Sequence, residues 1–296
     1  MHRGLLARVP VAFGAAAART MTTAAGIHGN PPPGIHVAFT EFKSVGCLAT
    51  ITMNSPGANT FDLPALQALD SAVAQAEARG DVRALVLTSA VDGFFSGGFN
   101  LPVLQRISRP DFLALWGMGK QVFRRILALP VPSVAAIDGH ALGLGCVMAM
   151  ACQHRFMVQS PRRIGLNEVA VGMPVPDWLA VRFRDLTSPR TAEEMLPVGA
   201  TATASEAHAV GLVDRLCASR ADLDAAVAEH LRQRCAVPPP AQAATLQALR
   251  RSFLEYFDAE SARDNERFWA ALSHPDTQQA IDRAIAQLAA RRRGKK

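Results

Sequence analysis

Gly139-His140-Ala141-Leu142-Gly143-Leu144-Gly145-Cys146 is the stretch on which the fold of this chain turns. It follows a short apolar run, Ser133 to Ile137, that reads as a strand, and it leads into Gly143 to Ala151, which reads as a buried helix. An earlier stretch, Phe95-Ser96-Gly97-Gly98-Phe99-Asn100, has the same character. It follows the strand-like segment Val82 to Val91 and precedes a helix-like one. Glycine-rich turns of this kind let backbone N–H groups point free of secondary structure, where they can bind a developing oxyanion. A lone carboxylate, Glu168, lies downstream in Gly165-Leu166-Asn167-Glu168-Val169. Two amide donors and one base suit the chemistry of a carbonyl compound losing an α-proton.

The rest of the chain fits around these turns. Val37 to Phe42 and Leu48 to Met53 read as paired strands, and Asn54 to Asn59 as a turn. Leu63, Leu66, Leu69, Val73 and Ala76 recur at helical spacing over Leu63 to Ala78, with Gly80 as a stop. Arg109 to Leu129 reads as a long helix closed by Pro130 and Pro132, and Arg155 to Val158 as a further strand. This alternation predicts an α/β fold with a largely parallel sheet. Beyond about Asp177 the pattern turns helical: Ala204 to Val210, Arg220 to Arg234, Ala241 to Phe257 and Thr277 to Ala290. The expected organisation is a leader and linker over 1–33, an α/β core over 34–235 and a helical subdomain over 236–296.

With 296 residues and 49% hydrophobic content, the chain can bury a large core as one domain or two smaller ones. Its most apolar stretch, Val134 to Cys152, is interrupted by Asp138, His140 and glycines, so no run is long and apolar enough to span a bilayer. The five cysteines have no zinc-site spacing and read as buried free thiols of a reducing compartment. The first forty residues contain no Asp or Glu, carry Arg3, Arg8 and Arg19, and are rich in alanine. Apart from lacking serine, and with Pro10 interrupting a short amphipathic pattern, they resemble a mitochondrial transit peptide; the alternative is a disordered tail with no address. Asn30-Pro31-Pro32-Pro33-Gly34 marks the start of the folded region. The net charge of +6 is concentrated at the two ends, including Arg291, Arg292, Arg293, Lys295 and Lys296. The near-neutral body argues against a nucleic-acid surface. The basic end reads as a solvated helix terminus, with support of a phosphorylated ligand as the alternative.

Four segments together carry a family resemblance. They are Asn54-Ser55-Pro56 with Asn59, the two glycine turns quoted above with Ala135 to Asp138 before the second, and Ala204-Ser205-Glu206-Ala207 with Val210-Gly211-Leu212-Val213-Asp214. In this order the chain resembles the enoyl-CoA hydratase/isomerase (crotonase) superfamily over roughly Val37 to Leu288. Gly165 to Glu168 and Trp178-Leu179 look most like the mitochondrial Δ3,Δ2-enoyl-CoA isomerases within it. The resemblance implies a spiral ββα core with a helical C-terminal subdomain. It assigns an oxyanion hole to the N–H groups of Phe99 and Leu144, where the family often has Ala and Gly, and a catalytic base to Glu168. Ala58 and the Ser96, Gly97 and Gly98 backbone would lie near the adenine end of the substrate, with Trp178 as either a core residue or a ligand contact.

The position of the family's second hydratase carboxylate is Val147 here. Hydration needs a carboxylate pair to orient water and deliver a proton. Shifting a double bond needs only a proton taken from C2 and returned at C4, which one base can do. An isomerase is therefore expected over a hydratase. Val169, Val171, Met173 and Trp178 would surround the base with apolar surface and raise its pKa. Asn100 is read as a helix N-terminal residue, Asp177 as either another carboxylate near the presumed pocket or a helix N-terminal residue, and Asp138 and His140 as structural. Ser96 lies outside any G-x-S-x-G elbow, and neither turn is a P-loop or a dinucleotide fingerprint. The resemblance further implies an acyl-CoA substrate, no metal or redox cofactor, no nucleic-acid partner, a homotrimer or a dimer of trimers, and the mitochondrial matrix. The alternatives are another crotonase-type hydratase or thioester hydrolase, or a non-catalytic or RNA-binding member of the family.

Overall fold

An antiparallel pair opens the fold: β1 (Gly34–Phe42) and β2 (Gly46–Asn54), with Val37 opposite Ile51. The computed structural model describes residues 32–42 and 45–293, with side chains described through residue 290. The expected leader falls almost wholly on residues 1–31, outside the described ones, as do the side chains of the basic end. After β2 come β3 (Thr60–Phe61) and helix α1 (Leu63–Ala78), whose N-terminus is capped by Asp62 accepting from the Ala65 N–H. Next are β4 (Val82–Ser89), β5 (Gly93–Ser96), β6 (Gly98–Phe99), the single turn α2 (Leu101–Leu104) and the long α3 (Arg109–Ala128). The following turn of chain repeats the pattern with β7 (Ser133–Ile137), β8 (Gly139–Leu142) and α4 (Leu144–Ala151). Then come β9 (His154–Val158), β10 (Arg163–Gly165), a 3-10 turn over Glu168–Val171, and α5 (Asp177–Leu186). The chain continues through α6 (Pro189–Met195), β11 (Ala202–Thr203), α7 (Ala204–Ala209), β12 (Arg215–Cys217), α8 (Arg220–Arg234), α9 (Pro239–Ser273) and α10 (Pro275–Arg293).

The strands form a six-stranded sheet in the order β1-β2-β4-β7-β9-β12 and a four-stranded sheet in the order β11-β10-β8-β5. All neighbours are parallel except β1–β2 and β10–β11. Each spiral repeat places one strand in the large sheet, turns a corner, places the next strand in the small sheet, and returns through helix. The largely parallel α/β reading holds. All five residues of β7 are buried, as expected of an interior parallel strand covered on both faces. On one face of β4, Ala84 and Val86 pack with Leu223, Val227 and Leu231 of α8; on the other, Leu85 and Leu87 join the main core with α1, α3 and α4.

The corner between β7 and β8 depends on Gly139. A β-carbon there would sit 2.4 Å from the Phe94 nitrogen, so only a residue without a side chain lets β8 lie against β5. The sequence pattern did not disclose the four-stranded sheet, because its strands are two to four residues long and carry no periodicity to read. Helix α9 also outruns its expected end at Phe257, continuing to Ser273. The stretch from Asp258 to Arg267 is polar and lacks an apolar face, but it contains no Gly or Pro, and Pro275 supplies the stop. All five cysteines are buried free thiols.

Candidate active site

Three neighbouring parallel strands of the small sheet end along one edge. Ser96 of β5 pairs with Ala141 of β8, and Leu142 of β8 with Gly165 of β10. The segments leaving those strands, at Gly98-Phe99, Gly143-Leu144 and Asn167-Glu168, therefore meet. Carboxyl ends of parallel strands are where open α/β sheets place their ligands.

The first segment is held by a knot around Asn59, whose φ is +47°. The Asn59 Nδ2 donates to the Met53 carbonyl, to Ser89 Oγ and to the Phe95 carbonyl, while its Oδ1 accepts from the Ser55 N–H at 2.6 Å. Ser96 is fully buried; its hydroxyl donates to the Asn59 carbonyl at 2.7 Å and accepts from the Gly98 N–H at 3.1 Å. The Gly97 N–H donates to the Ala58 carbonyl at 2.8 Å. Ala58, Ser96, Gly97 and Gly98 are thus brought together, with the Ser96 side chain spent on holding the turn. In the parallel pairing of β3 with β6 the Asn100 N–H donates to the Phe61 carbonyl at 2.9 Å. Because amides alternate sides along a strand, the Phe99 N–H faces away from β3.

The second segment begins at Gly143, whose φ of +50° suits glycine and whose N–H is tied to the Gly165 carbonyl at 3.0 Å. Leu144 is the first residue of α4, so its N–H is one of the donors a helix leaves without an internal partner. The positive end of the helix dipole adds to its pull on an anion. A β-carbon on Gly98 would stand 3.2 Å from the Leu144 nitrogen, which places the two turns in contact.

The third segment carries Glu168 at the head of its 3-10 turn. A β-carbon on Gly143 would stand 3.7 Å from Glu168 Oε1 and 3.3 Å from Asn167 Oδ1. Glu168 is half-buried as a residue, but its Oε2 is withdrawn from solvent and has no hydrogen-bond partner among the described residues. Burial pushes its pKa up to about 7, with a hydrogen bond to its own backbone opposing. Met173 is buried, and Val169 and Val171 are half-buried. The same burial, with Glu168's charge adding, raises the Cys146 thiol and keeps it protonated. Val147 is buried inside α4.

Other residues singled out in the sequence sit elsewhere. Trp178 lies in an aromatic core with Trp116, Phe123 and Phe257, and its indole N–H donates to Asp264 at 3.2 Å. Asp177 starts α5 as expected and is ion-paired with Arg267. Asn100 stands at the head of α2, but its side chain makes no capping bond there; its carbonyl accepts the Val103 N–H instead. Asp138 pairs with Arg162 and Arg220, and His140 Nδ1 accepts the Arg163 N–H at 3.0 Å, which makes both structural.

Two groups of supporting residues were not apparent in the sequence. Asp264 Oδ2 accepts from Trp116 and Trp178, and beside it Lys120 Nζ donates to Asn265 and Ser261. The ring of Phe99 rests on Trp116, with centroids 6.1 Å apart. Helix α10 spans the other side: Thr277 Oγ1 donates to the Gly172 carbonyl at 3.0 Å, closing the turn that bears Glu168. Gln278 Oε1 accepts the Arg106 N–H at 2.7 Å and its Nε2 donates to the Leu104 carbonyl, fixing the loop after α2. A lysine among apolar positions of α3 was the available signal for the first group; nothing local marked the second.

The family model described as Enoyl-CoA hydratase/isomerase matches residues 44–287. The chain belongs to the enoyl-CoA hydratase/isomerase family. Among its relatives is the human mitochondrial enoyl-CoA delta isomerase 1, 26% identical over 95% of this chain and 92% of that protein. The short-chain-enoyl-CoA hydratase of Clostridium acetobutylicum is 27% identical over 80% of this chain and 90% of its own. The crystal structure of human mitochondrial Δ3-Δ2-enoyl-CoA isomerase shares the fold, with a TM-score of 0.82 at 24% identity over 87% of this chain and 98% of that one. Family membership thus covers isomerases and hydratases alike.

Proposed function

We propose that this protein is a Δ3,Δ2-enoyl-CoA isomerase. The observation that carries the reading is a single carboxylate, Glu168, facing the Gly143 turn, with a buried Val147 where a hydratase would hold its second acid. The Phe99 and Leu144 N–H groups bind the thioester oxygen. Glu168 takes a proton from C2; the electron pair moves into the thioester, giving a dienolate whose oxygen the two amides stabilise. The protonated carboxyl then delivers the proton to C4 and the double bond settles between C2 and C3. A carboxyl whose pKa is raised toward 7 is matched to both taking and returning a proton near neutral pH. Carboxylate and amides supply this chemistry without a metal or redox cofactor, and coenzyme A is part of the substrate.

The adenine end is assigned to Ala58 and the Ser96–Gly98 backbone, and of the two roles open to Trp178 its burial among Trp116, Phe123 and Phe257 favours the core one. The mitochondrial names of the isomerase relatives, together with the acid-free, arginine-bearing leader, support a matrix enzyme of unsaturated fatty-acid β-oxidation. A homotrimer or a dimer of trimers is the assembly the family resemblance supports, and light scattering of the purified chain tests it.

The deciding assay incubates the purified protein with a 3-enoyl-CoA and follows the conjugated thioester absorbance, with Glu168→Gln beside it. Conversion by wild type and its loss in the variant support the reading. Hydration of a 2-enoyl-CoA without isomerisation would replace it with the hydratase alternative.

A further inference from the structure

Asn167 occupies the N-cap position of the 3-10 turn that carries Glu168. Asparagine at such a position ordinarily turns its side chain onto the first free N–H groups of the turn. Here it makes no capping bond. Its backbone is committed, since its carbonyl accepts the Ala170 N–H at 3.1 Å and a β-carbon on Gly199 would stand 3.5 Å from its α-carbon. Its φ of −112° and ψ of 22° lie in the sparsely used bridge region between helix and strand. That bend has a consequence for the side chains. Successive residues of an extended strand point to opposite faces, yet Asn167 Oδ1 and Glu168 Oε1 both come within 4 Å of one point, the missing β-carbon of Gly143. A side chain of a strong capping type thus leaves its cap unmade and shares with Glu168 the space in front of Gly143.

We infer that Asn167 is a positioning residue for the proton shuttle, its side-chain oxygen accepting a hydrogen bond from Glu168 while that residue holds the substrate's proton. The inference rests on the isomerase reading. When the C2–H bond breaks, an O–H bond forms on Glu168 and the electron pair passes to the thioester; when the C4–H bond forms, that O–H breaks. Between the two events Glu168 is a neutral acid with one hydrogen to donate, in surroundings that are otherwise apolar. An acceptor at Asn167 keeps that hydrogen inside the pocket and the carboxyl in one plane until C4 takes it. Among the described residues, Cys146 on α4 also faces Glu168 and stays a neutral thiol. On the side of α9 and α10, His274, Asp276 and Arg283 line the groove along the outer face of the turn.

The test follows a substrate deuterated at C2 in ordinary water. Wild type should carry part of the label to C4. Asn167→Ala should retain much less, with kcat lowered roughly tenfold, as for one lost hydrogen bond, and KM little changed. The acidic limb of its pH profile should move down, because the protonated form loses an acceptor. In Asn167→Asp, nearly identical in shape, a second negative charge should move that limb up. A purely structural asparagine would not move the two variants in opposite directions. Wild-type label transfer and pH profile in Asn167→Ala, or no label transfer in wild type, would overturn the inference while leaving the isomerase reading intact. Absence of isomerisation in wild type would overturn both.

Discussion

Gly98 lies directly over the amide of Leu144: a β-carbon at 98 would stand 3.2 Å from that nitrogen and 2.7 Å from the Leu142 carbonyl oxygen. Gly98 also has a φ of +87°, a conformation that side chains resist. Gly98→Ala should therefore displace the two turns and close the space an oxyanion would occupy. The expected outcome is a fall in kcat of about 10²-fold or more, comparable with losing one oxyanion donor. Steady-state assay against 3-enoyl-CoA, with thermal unfolding to separate misfolding from blockage, checks it.

In the proposed mechanism Glu168 must be ionised to remove a proton, and burial pushes its pKa up to about 7. The value of kcat/KM should rise with pH and level off above roughly this value. Stability should run the other way. A carboxyl raised on folding favours the folded state fully below its ordinary pKa, and that contribution fades as pH climbs through the folded value. Ionised Glu168 thus costs up to about 3 kcal/mol at alkaline pH. Glu168→Gln, neutral throughout, should be more stable than wild type at pH 8 and nearly equal to it at pH 4.5 in urea titrations. Equal stability of the two at pH 8 would show that the carboxyl is not desolvated.

Thr277 and Gln278 reach from α10 to the turn behind Glu168 and to the loop after Phe99. Removing either side chain should cost about 1 kcal/mol, the worth of an ordinary hydrogen bond. Catalysis should suffer more than stability, because Arg106 is held at a φ of +53° by the Gln278 contact. Gln278→Ala is expected to lower kcat several-fold at an unchanged KM. A change confined to the unfolding midpoint would mean that α10 only covers the core.

Asp264 accepts two indole N–H groups and sits 3.8 Å from the Lys120 ammonium, with both charged residues buried. Asp264→Leu leaves two buried indole donors without their acceptor and the Lys120 ammonium without its countercharge, though still bonded to Ser261 and Asn265. The loss should be roughly 3–5 kcal/mol, the penalty for breaking a buried pair from one side. Replacing Lys120 by Met as well should restore part of it, which a double-mutant cycle in denaturant measures.

The helices and long strands were legible because their signals are carried by residues near one another along the chain. Leu63 to Ala78 is bounded by its apolar spacing and the Gly80 stop, and the buried run Ser133 to Ile137 reads as an interior strand. The two glycine turns were legible for the same reason, since the freedom of glycine at Gly98 and Gly143 is a property of the residue itself. Strands of two to four residues hold no such record, so the small sheet was invisible although it gathers the site. The junctions were invisible too: Gly98 with Leu144, Gly143 with Glu168, and Thr277 with Gly172. Each joins segments that local preference cannot bring together, and each depends on close packing of strands and helices whose order in space differs from their order in the chain. The family motifs pointed to Glu168 and the two amides. Their approach to one another, the withdrawal of Glu168 Oε2 from water and the turn of Asn167 away from its cap come from packing, because burial and distance belong to the folded chain and not to its residues taken in order.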